Sequence, residues 1–190
     1  MKTKNIMIVG VGGQGSLLAS KLLGHLLMEQ GYDVKVSEVH GMSQRGGSVV
    51  TYVRYGDKVY SPVVDQGEAD YILSFELLEA ARWIGYLKKG GKLVTNTRQT
   101  PPMPVITGAA VYPEKIAEKL AEKADVIALD AMTLAEQAGS VKAVNVVLIG
   151  VLSKLMPFSE DVWLKAIEET VPPKFVEMNK KAFALGRDAT

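Results

Sequence analysis

The residues that could do chemistry lie in two short glycine-rich stretches. The first, GVGGQG at residues 10–15, joins an apolar run to a leucine-rich run, the context in which the G-x-G-x-x-G pattern has a meaning. Glycines let the backbone turn tightly and approach a ligand, and a helix that follows presents unpaired N–H groups to an anion. The stretch predicts a site for a phosphate or other anion, a dinucleotide site, or a purely structural turn.

The first stretch allows narrower interpretations. Glu38, at the end of the next predicted strand, could bind a ribose as the acidic residue of a dinucleotide site. A Walker A phosphate loop is excluded, because Ser16 stands where that motif requires lysine. A side-chain amide in the loop would add a donor and an acceptor at the mouth of the helix. The candidate binding residues are Gly12, Gly13, Gln14 and Gly15.

The second stretch, EVHGMSQRGGSV at residues 38–49, follows a predicted strand and should lie at the same carboxyl edge of the sheet as the first. Arg45 could bind a phosphate or carboxylate with its forked guanidinium. Gln44 adds a neutral hydrogen-bonding group, and Gly46 and Gly47 would let the backbone come close to the same ligand. The chemistry that this stretch predicts is recognition of an anion.

His40 is the one candidate catalytic residue. It could act as an acid or base, or it could only order its own loop. The chain has no cysteine and no G-x-S-x-G motif, so we find no nucleophile for His40 to assist. The two histidines, His25 on a predicted helix face and His40 in a loop, do not make a metal site, and we expect none in this chain.

Length and composition restrict the remaining choices. The 190 residues suit one domain, and 22 Lys plus Arg against 21 Asp plus Glu give no general attraction to nucleic acid or an anionic membrane. Without cysteine, the chain itself cannot hold an iron–sulfur cluster on thiolates. Its longest apolar stretch is shorter than the ~20 residues of a membrane-spanning helix, and its first residues contain no signal sequence. We expect a cytoplasmic protein.

The elements that must position these residues predict an α/β fold: a three-layer, Rossmann-like mixed sheet with an antiparallel hairpin and a helical C-terminal third. Strands are predicted at residues 5–9, 33–39, 71–75, 90–97, 105–111 and 124–130. Helices are predicted at residues 16–30, 76–87, 113–123, 143–156, 159–170 and 174–188. A hairpin is predicted over residues 47–64, turning at Gly56–Asp57, and its Tyr52, Tyr55 and Tyr60 suit a partner interface.

Asn145 is a further candidate, because it interrupts the apolar helix predicted at residues 143–156. A buried amide needs a hydrogen-bond partner, which could be a ligand or the protein's own loop backbone. The helix is apolar on nearly every face, so it is either central in the fold or covered by another chain.

Several motifs together carry a family resemblance. GVGGQG, EVHGMSQRGGSV, SPVV, GEADYILSFELLEAARWIGYLKKGGKLVTNT and AVNVVLIG closely resemble the beta subunits of indolepyruvate:ferredoxin oxidoreductases. These subunits are equivalent to the gamma-type subunits and domains of the 2-oxoacid:ferredoxin oxidoreductases. The resemblance covers essentially the whole chain, so it implies a single gamma-type catalytic domain over residues 1–190, and the HGMSQRGGS run points to the indolepyruvate branch.

The resemblance implies an oxygen-sensitive, CoA-dependent oxidative decarboxylation of an aryl 2-oxoacid, in anaerobic catabolism of aromatic amino acids. The products would be an aryl-acetyl-CoA, carbon dioxide and reduced ferredoxin. In this family the thiamine diphosphate, with its magnesium, and the 4Fe-4S clusters belong to the larger alpha subunit. We therefore expect an alpha-subunit partner, no cofactor bound by this chain alone, and a rim of the shared CoA and substrate cleft formed by both glycine stretches and Asn145.

Three other functions stay open at this point. The chain could be a gamma-type subunit for another 2-oxoacid, namely pyruvate, 2-oxoisovalerate or 2-oxoglutarate. It could be a free-standing nicotinamide or flavin enzyme that uses GVGGQG and Glu38. It could also be an assembly factor with no ligand of its own.

Overall fold

The computed structural model describes residues 2–38, 43 and 45–190. Within them, six strands form one mixed sheet in the order β2-β3-β1-β4-β5-β6. The strands are β1 (Lys4–Val11), β2 (Asp33–Glu38), β3 (Ser48–Gly56), β4 (Ala69–Ser74), β5 (Leu87–Asn96) and β6 (Asp125–Leu129). The helices are α1 (Ser16–Glu29), α2 (Leu77–Trp83), α3 (Met103–Ile106), α4 (Ile116–Ala121), α5 (Ala131–Ala138), α6 (Val144–Ser153), α7 (Glu160–Thr170) and α8 (Val176–Asp188).

The central strand β1 shows why the sheet is covered on both faces. Ile6 and Ile8 are buried against one cluster of apolar side chains, which includes α1 and α6. Met7 and Val9, which point to the opposite face, are buried in a second cluster with α2 and α4. Both faces of the strand are therefore apolar, and the expected three-layer α/β fold is confirmed.

The antiparallel hairpin exists, but its predicted place was wrong. Strand β3 pairs antiparallel with β2 on one side and with β1 on the other, so the hairpin joins β2 to β3. After Gly56 the chain forms no strand up to residue 68. The Arg54 guanidinium donates to the carbonyls of Ser61 and Val63 at 3.0 and 2.8 Å, so a side chain takes the place of a strand partner.

Two further predictions are corrected. Residues 105–111 are not a strand. The short helix α3, with a proline in its first turn, ends at Ile106, and the turn that follows contains Gly108 with a φ of 77°. Tyr55 is not an interface residue, because its side chain is 2% exposed in the core, whereas Tyr60 is 88% exposed. Tyr52 is partly buried against the second apolar cluster.

Helix α6 lies in the centre of the fold, with every residue from Val144 to Ser153 buried by this chain itself. It packs against α8 at a very close crossing. A Cβ at Gly186 would overlap the carbonyl oxygen of Val147, and one at Gly150 would overlap the carbonyl oxygen of Phe183. Because glycine alone allows this approach, the crossing fixes where α6 begins, and with it Asn145.

Candidate functional site

The first glycine stretch forms a tight turn between β1 and α1. Gly13 and Gly15 have φ values of 96° and 91°, a left-handed conformation that favours glycine, and Gly15 is the N-cap of α1. The side-chain oxygen of Gln14 accepts a hydrogen bond from the Val11 N–H at 2.8 Å. The sequence analysis considered the Gln14 side-chain oxygen as an acceptor for a ligand, but in the structure this oxygen bonds within the loop itself.

Asn145 holds this turn from the other side. Its Nδ2 group donates to the carbonyl of Gly15 at 3.1 Å, and its Oδ1 accepts from the Val146 N–H at 2.9 Å. A Cβ at Gly15 would lie 2.6 Å from the Asn145 Nδ2, so a side chain there would displace the amide. The sequence analysis left two hydrogen-bond partners open for Asn145, a ligand or the loop backbone. In the structure the partner is the loop backbone.

The second stretch is joined directly to the first. The Gly12 N–H donates to the carbonyl of Gly47 at 2.9 Å, and the Gly47 N–H donates to the carbonyl of Ser43 at 2.9 Å. Arg45 and Gly46 are exposed between these contacts. The two stretches are neighbours at the carboxyl edge of the sheet, as predicted. The candidates His40 and Gln44 lie outside the described residues.

The geometry argues against a dinucleotide site. Strand β3 lies between β2 and β1, so the end of β2 is one strand further from the glycine turn than the dinucleotide arrangement requires. The Glu38 carboxylate instead accepts a hydrogen bond from the Ser20 hydroxyl of α1. Glu38 therefore secures β2 to α1.

A cavity of about 520 Å³ opens beside the glycine turn at the carboxyl ends of β1, β4 and β5. Its lining combines backbone, amide, apolar and cationic groups, from Gly13, Gln14, Gly15, Leu18, Phe75, Asn96, Arg98, Val141, Lys142, Val144 and Asn145. Three predicted residues of the first stretch and Asn145 thus meet in one cavity. Arg45 is not among its lining residues, so the two stretches form adjoining walls rather than one pocket.

The cations of this cavity, Arg98 and Lys142, were missed by the sequence analysis. Arg98 follows β5, and Lys142 lies in the 3₁₀ turn Val141–Ala143 that leads into α6. Among the described residues neither forms an ion pair, and the contact recorded for the Arg98 side chain is with the Met132 Sδ at 3.9 Å. Two unpaired cations beside a helix N-terminus suit an anionic ligand.

The family of this chain follows from its match to a family model. The model described as pyruvate ferredoxin/flavodoxin oxidoreductase matches residues 5–189. The chain belongs to this family. The predicted relationship to the ferredoxin oxidoreductases is thereby confirmed.

Two relatives show where the chain falls among these oxidoreductases. Indolepyruvate oxidoreductase subunit IorB of Pyrococcus horikoshii is 52% identical over 192 residues, which cover 98% of this chain and 95% of that protein. The pyruvate/ketoisovalerate oxidoreductases common subunit gamma of Thermococcus litoralis is 27% identical, covering 95% of this chain and 91% of that protein. The chain is thus much more similar to the first relative than to the second.

A solved structure of the family's fold comes from Magnetococcus marinus. It is 2-oxoglutarate:ferredoxin oxidoreductase with 2-oxoglutarate, coenzyme A and succinyl-CoA bound, and it matches 99% of this chain with a TM-score of 0.76 and 19% identity. The match covers 31% of that chain. The same fold therefore occurs there as one part of a longer polypeptide.

The groups that could hold an iron–sulfur cluster or a metal ion can be checked directly in this chain. No cysteine is available for an iron–sulfur cluster. In the part of the chain that the structure describes, no three His, Asp or Glu side chains come together as they would around a metal ion.

No described helix is long and apolar enough to cross a membrane.

Two buried carboxylates, Glu76 and Glu79, lie at the start of α2, and the sequence analysis missed them as well. Glu76, the N-cap of α2, accepts from the Glu79 N–H, the Thr100 N–H and the Tyr112 hydroxyl at 2.8 to 2.9 Å. Burial and then this hydrogen bond to Glu76 raise the pKa of Tyr112. The sequence analysis gave neither carboxylate a role, because their burial depends on long-range partners that sequence does not reveal.

Proposed function

We propose that this chain is the beta subunit of an indolepyruvate ferredoxin oxidoreductase. The complex would convert aryl pyruvates and CoA to aryl-acetyl-CoA and carbon dioxide, with reduction of ferredoxin. The observation that carries this proposal is the 52% identity, over 98% of the chain, to a protein named as a subunit of indolepyruvate oxidoreductase. The 27% identity to a pyruvate/ketoisovalerate subunit supports those substrates much less.

The proposal assigns the decarboxylation chemistry to the partner. Thiamine diphosphate supplies carbanion stabilisation when bound in the larger alpha subunit, and the clusters there pass electrons to ferredoxin. Residues 1–190 would act as one gamma-type domain that closes the shared cleft. The expected cytoplasmic location stays a prediction, as does the identity of the alpha subunit.

The chain's own residues would bind CoA. Arg98 and Lys142 offer charge-assisted hydrogen bonds to phosphate oxygens, and Gly15 and Leu18, at the N-terminal end of α1, line the same cavity. Leu18 and Phe75 supply apolar surface for the rest of a nucleotide. Gly13, Gln14, Gly15 and Asn145 would line this CoA site, and Gly12, Arg45, Gly46 and Gly47 would form the adjoining rim. Gln44 stays a candidate from its sequence alone.

Anaerobic co-expression with a thiamine-binding alpha subunit tests the function. CoA-dependent dye reduction should be fastest with indolepyruvate and other aryl 2-oxoacids. Faster turnover of pyruvate, 2-oxoisovalerate or 2-oxoglutarate would assign the complex to another branch. Activity of the alpha subunit alone, equal to that of the pair, would make this chain an assembly factor.

Paired substitutions test the binding role. Arg98→Ala and Lys142→Ala should each raise the Kd for CoA by about tenfold or more, because a hydrogen bond between charged groups contributes about 1.5–3 kcal/mol. Lys181→Ala, an exposed lysine of α8 outside the cavity, is the control and should leave the Kd unchanged. If Arg98→Ala and Lys142→Ala, like Lys181→Ala, bound CoA as tightly as the wild type, the cavity would not be the CoA site.

A further inference from the structure

The Glu79 side chain is a buried carboxylate with two partners. It is 6% exposed, although α2 has only seven residues and lies at the edge of the second apolar cluster. One carboxylate oxygen accepts from the Arg82 Nε at 3.1 Å, and the other accepts from the Ser48 hydroxyl at 2.5 Å. An acidic side chain in the first turn of a helix is stabilised there without burial and without a partner such as Ser48. The position of Glu79 in α2 therefore does not by itself explain why its carboxylate points inward.

Ser48 is the point where the segment of residues 45–47, called the Arg45 loop below, joins the sheet. It is the first residue of β3 and pairs with Val11, the last residue of β1. The preceding residue, Gly47, accepts the hydrogen bond from Gly12. Ser48 is therefore held to the glycine turn by the backbone and to α2 by its side chain, three residues from Arg45.

We propose that Glu79, acting through Ser48, positions the Arg45 loop at the rim of the site. The hydroxyl of Ser48 cannot rotate away without leaving the carboxylate one acceptor unpaired in a buried place. This fixes the direction in which the chain enters β3, and with it the position of the backbone at Arg45 relative to the glycine turn. The inference rests on the proposed function, since it assigns Glu79 and Ser48 as positioning residues for that site.

Limited trypsin digestion of the full chain tests the positioning without requiring activity. Trypsin cuts after Arg45, which is exposed, and cleavage there follows the population of the loosened loop. Ser48→Ala should raise the rate of that cut by about tenfold or more, as expected for one lost hydrogen bond to a charged group. Ser48→Thr keeps the hydroxyl and should match the wild type. Cuts after the exposed Lys89 and Lys123 serve as internal controls and should not change.

A second pair of variants guards against misfolding. Glu79→Ala should give the same faster cut after Arg45. Ser48→Ala is the milder change, because it keeps the Glu79 side chain and its hydrogen bond from Arg82. Ser61→Ala removes another hydroxyl that accepts a local hydrogen bond, from the Val63 N–H, and should change nothing at Arg45. Equal cleavage after Arg45 in wild type and Ser48→Ala would overturn the proposal.

In the assembled oxidoreductase, Ser48→Ala should raise the apparent KM for CoA more than it lowers kcat, and Ser48→Thr should restore both. An effect on kcat alone would overturn the positioning role. The two proposals fail separately: unchanged CoA affinity in Arg98→Ala and Lys142→Ala removes the CoA assignment, whereas the cut after Arg45 reads the loop geometry whatever the ligand is.

Discussion

The side-chain amide of Asn145 donates to the carbonyl of Gly15 at 3.1 Å across 130 positions of sequence. This contact joins the start of α6 to the turn that opens α1. Asn145→Ala should lower the free energy of unfolding by about 1–2 kcal/mol, because the Val146 N–H loses a side-chain acceptor in a buried place. It should also weaken CoA binding, since the glycine turn would no longer be held. Urea denaturation and titration calorimetry measure the two effects.

The control for Asn145 is another buried asparagine. Asn179 donates to the carbonyl of Phe175 within the same part of the chain, at 2.8 Å. Asn179→Ala should cost similar stability and leave CoA binding unchanged. If both variants lost CoA affinity equally, general destabilisation rather than the Asn145 contact would be responsible.

The close crossing of α6 and α8 predicts that alanine is poorly tolerated at Gly186. Gly186→Ala should destabilise the protein by about 3 kcal/mol, because its Cβ would overlap the carbonyl of Val147. Gly24→Ala, in the middle of α1, should stabilise it by about 0.5–1 kcal/mol, since the nearest atom to that Cβ, Val36 Cγ2, is 3.7 Å away. Thermal unfolding compares the two variants. Destabilisation of the same size in both would contradict the crossing geometry.

Asp70 should make the stability of the fold depend on pH. Burial alone would raise the pKa of its carboxyl, but hydrogen bonds from Lys88, the Asn5 N–H and Lys4 outweigh burial and hold the pKa below its ordinary value. A carboxyl with a lowered folded-state pKa stabilises the fold above its unfolded pKa of about 3.9, and this stabilisation is lost as pH falls through the folded value. Asp70→Asn should therefore be less stable than wild type by about 1–3 kcal/mol at neutral pH.

The difference between wild type and Asp70→Asn should shrink as the pH is lowered below about 4. Urea denaturation between neutral and acidic pH measures it. Asp125→Asn is the control, because Asp125 is 54% exposed in its pair with Lys92 and should contribute little at any pH. A difference that stays constant with pH would assign the Asp70 effect to packing.

The centre of the sheet was predictable because its signal is local. The strands predicted at residues 5–9 and 71–75 contain the apolar runs 6–9 and 71–73, and both runs lie in strands of the central sheet. The hairpin was misplaced because residues 58–64 have strand-like side chains but bury Val59 and Val64 without a ladder. What decides their conformation is Arg54, whose side chain occupies carbonyls that a strand would pair.

The candidate site was predictable only in part. The glycine turn has a sequence pattern of its own, so residues 12–15 were found. Arg98 and Lys142 are single cations in loops, and nothing near them in sequence brings them together. They line one cavity because Arg98 follows β5 and Lys142 precedes α6, and the packing of these two elements is a long-range arrangement that neither local sequence shows. Asn145 was found because an amide inside an apolar run is conspicuous.

The segment between β5 and α4 depends on one buried carboxylate. Glu76 binds the Thr100 N–H at one end and the Tyr112 hydroxyl at the other, while Met103, Ile106 and Val111 between them are 65 to 88% exposed. Tyr112→Phe removes one of these ties but keeps the ring in place. It should lower the free energy of unfolding by about 1 kcal/mol and speed hydrogen exchange within residues 103–111.

Tyr60→Phe is the matched control for this segment, because Tyr60 is 88% exposed and its hydroxyl should contribute nothing to stability. The raised pKa of Tyr112 adds a second test. A phenol whose pKa is higher in the folded state stabilises the fold below its unfolded pKa of about 10, and this is lost as pH rises through the folded value, because a phenolate would face the Glu76 carboxylate. The stability difference between wild type and Tyr112→Phe should therefore fall away, or reverse, at strongly alkaline pH. If exchange within residues 103–111 were equally fast in wild type and Tyr112→Phe, Glu76 would not be what orders the segment.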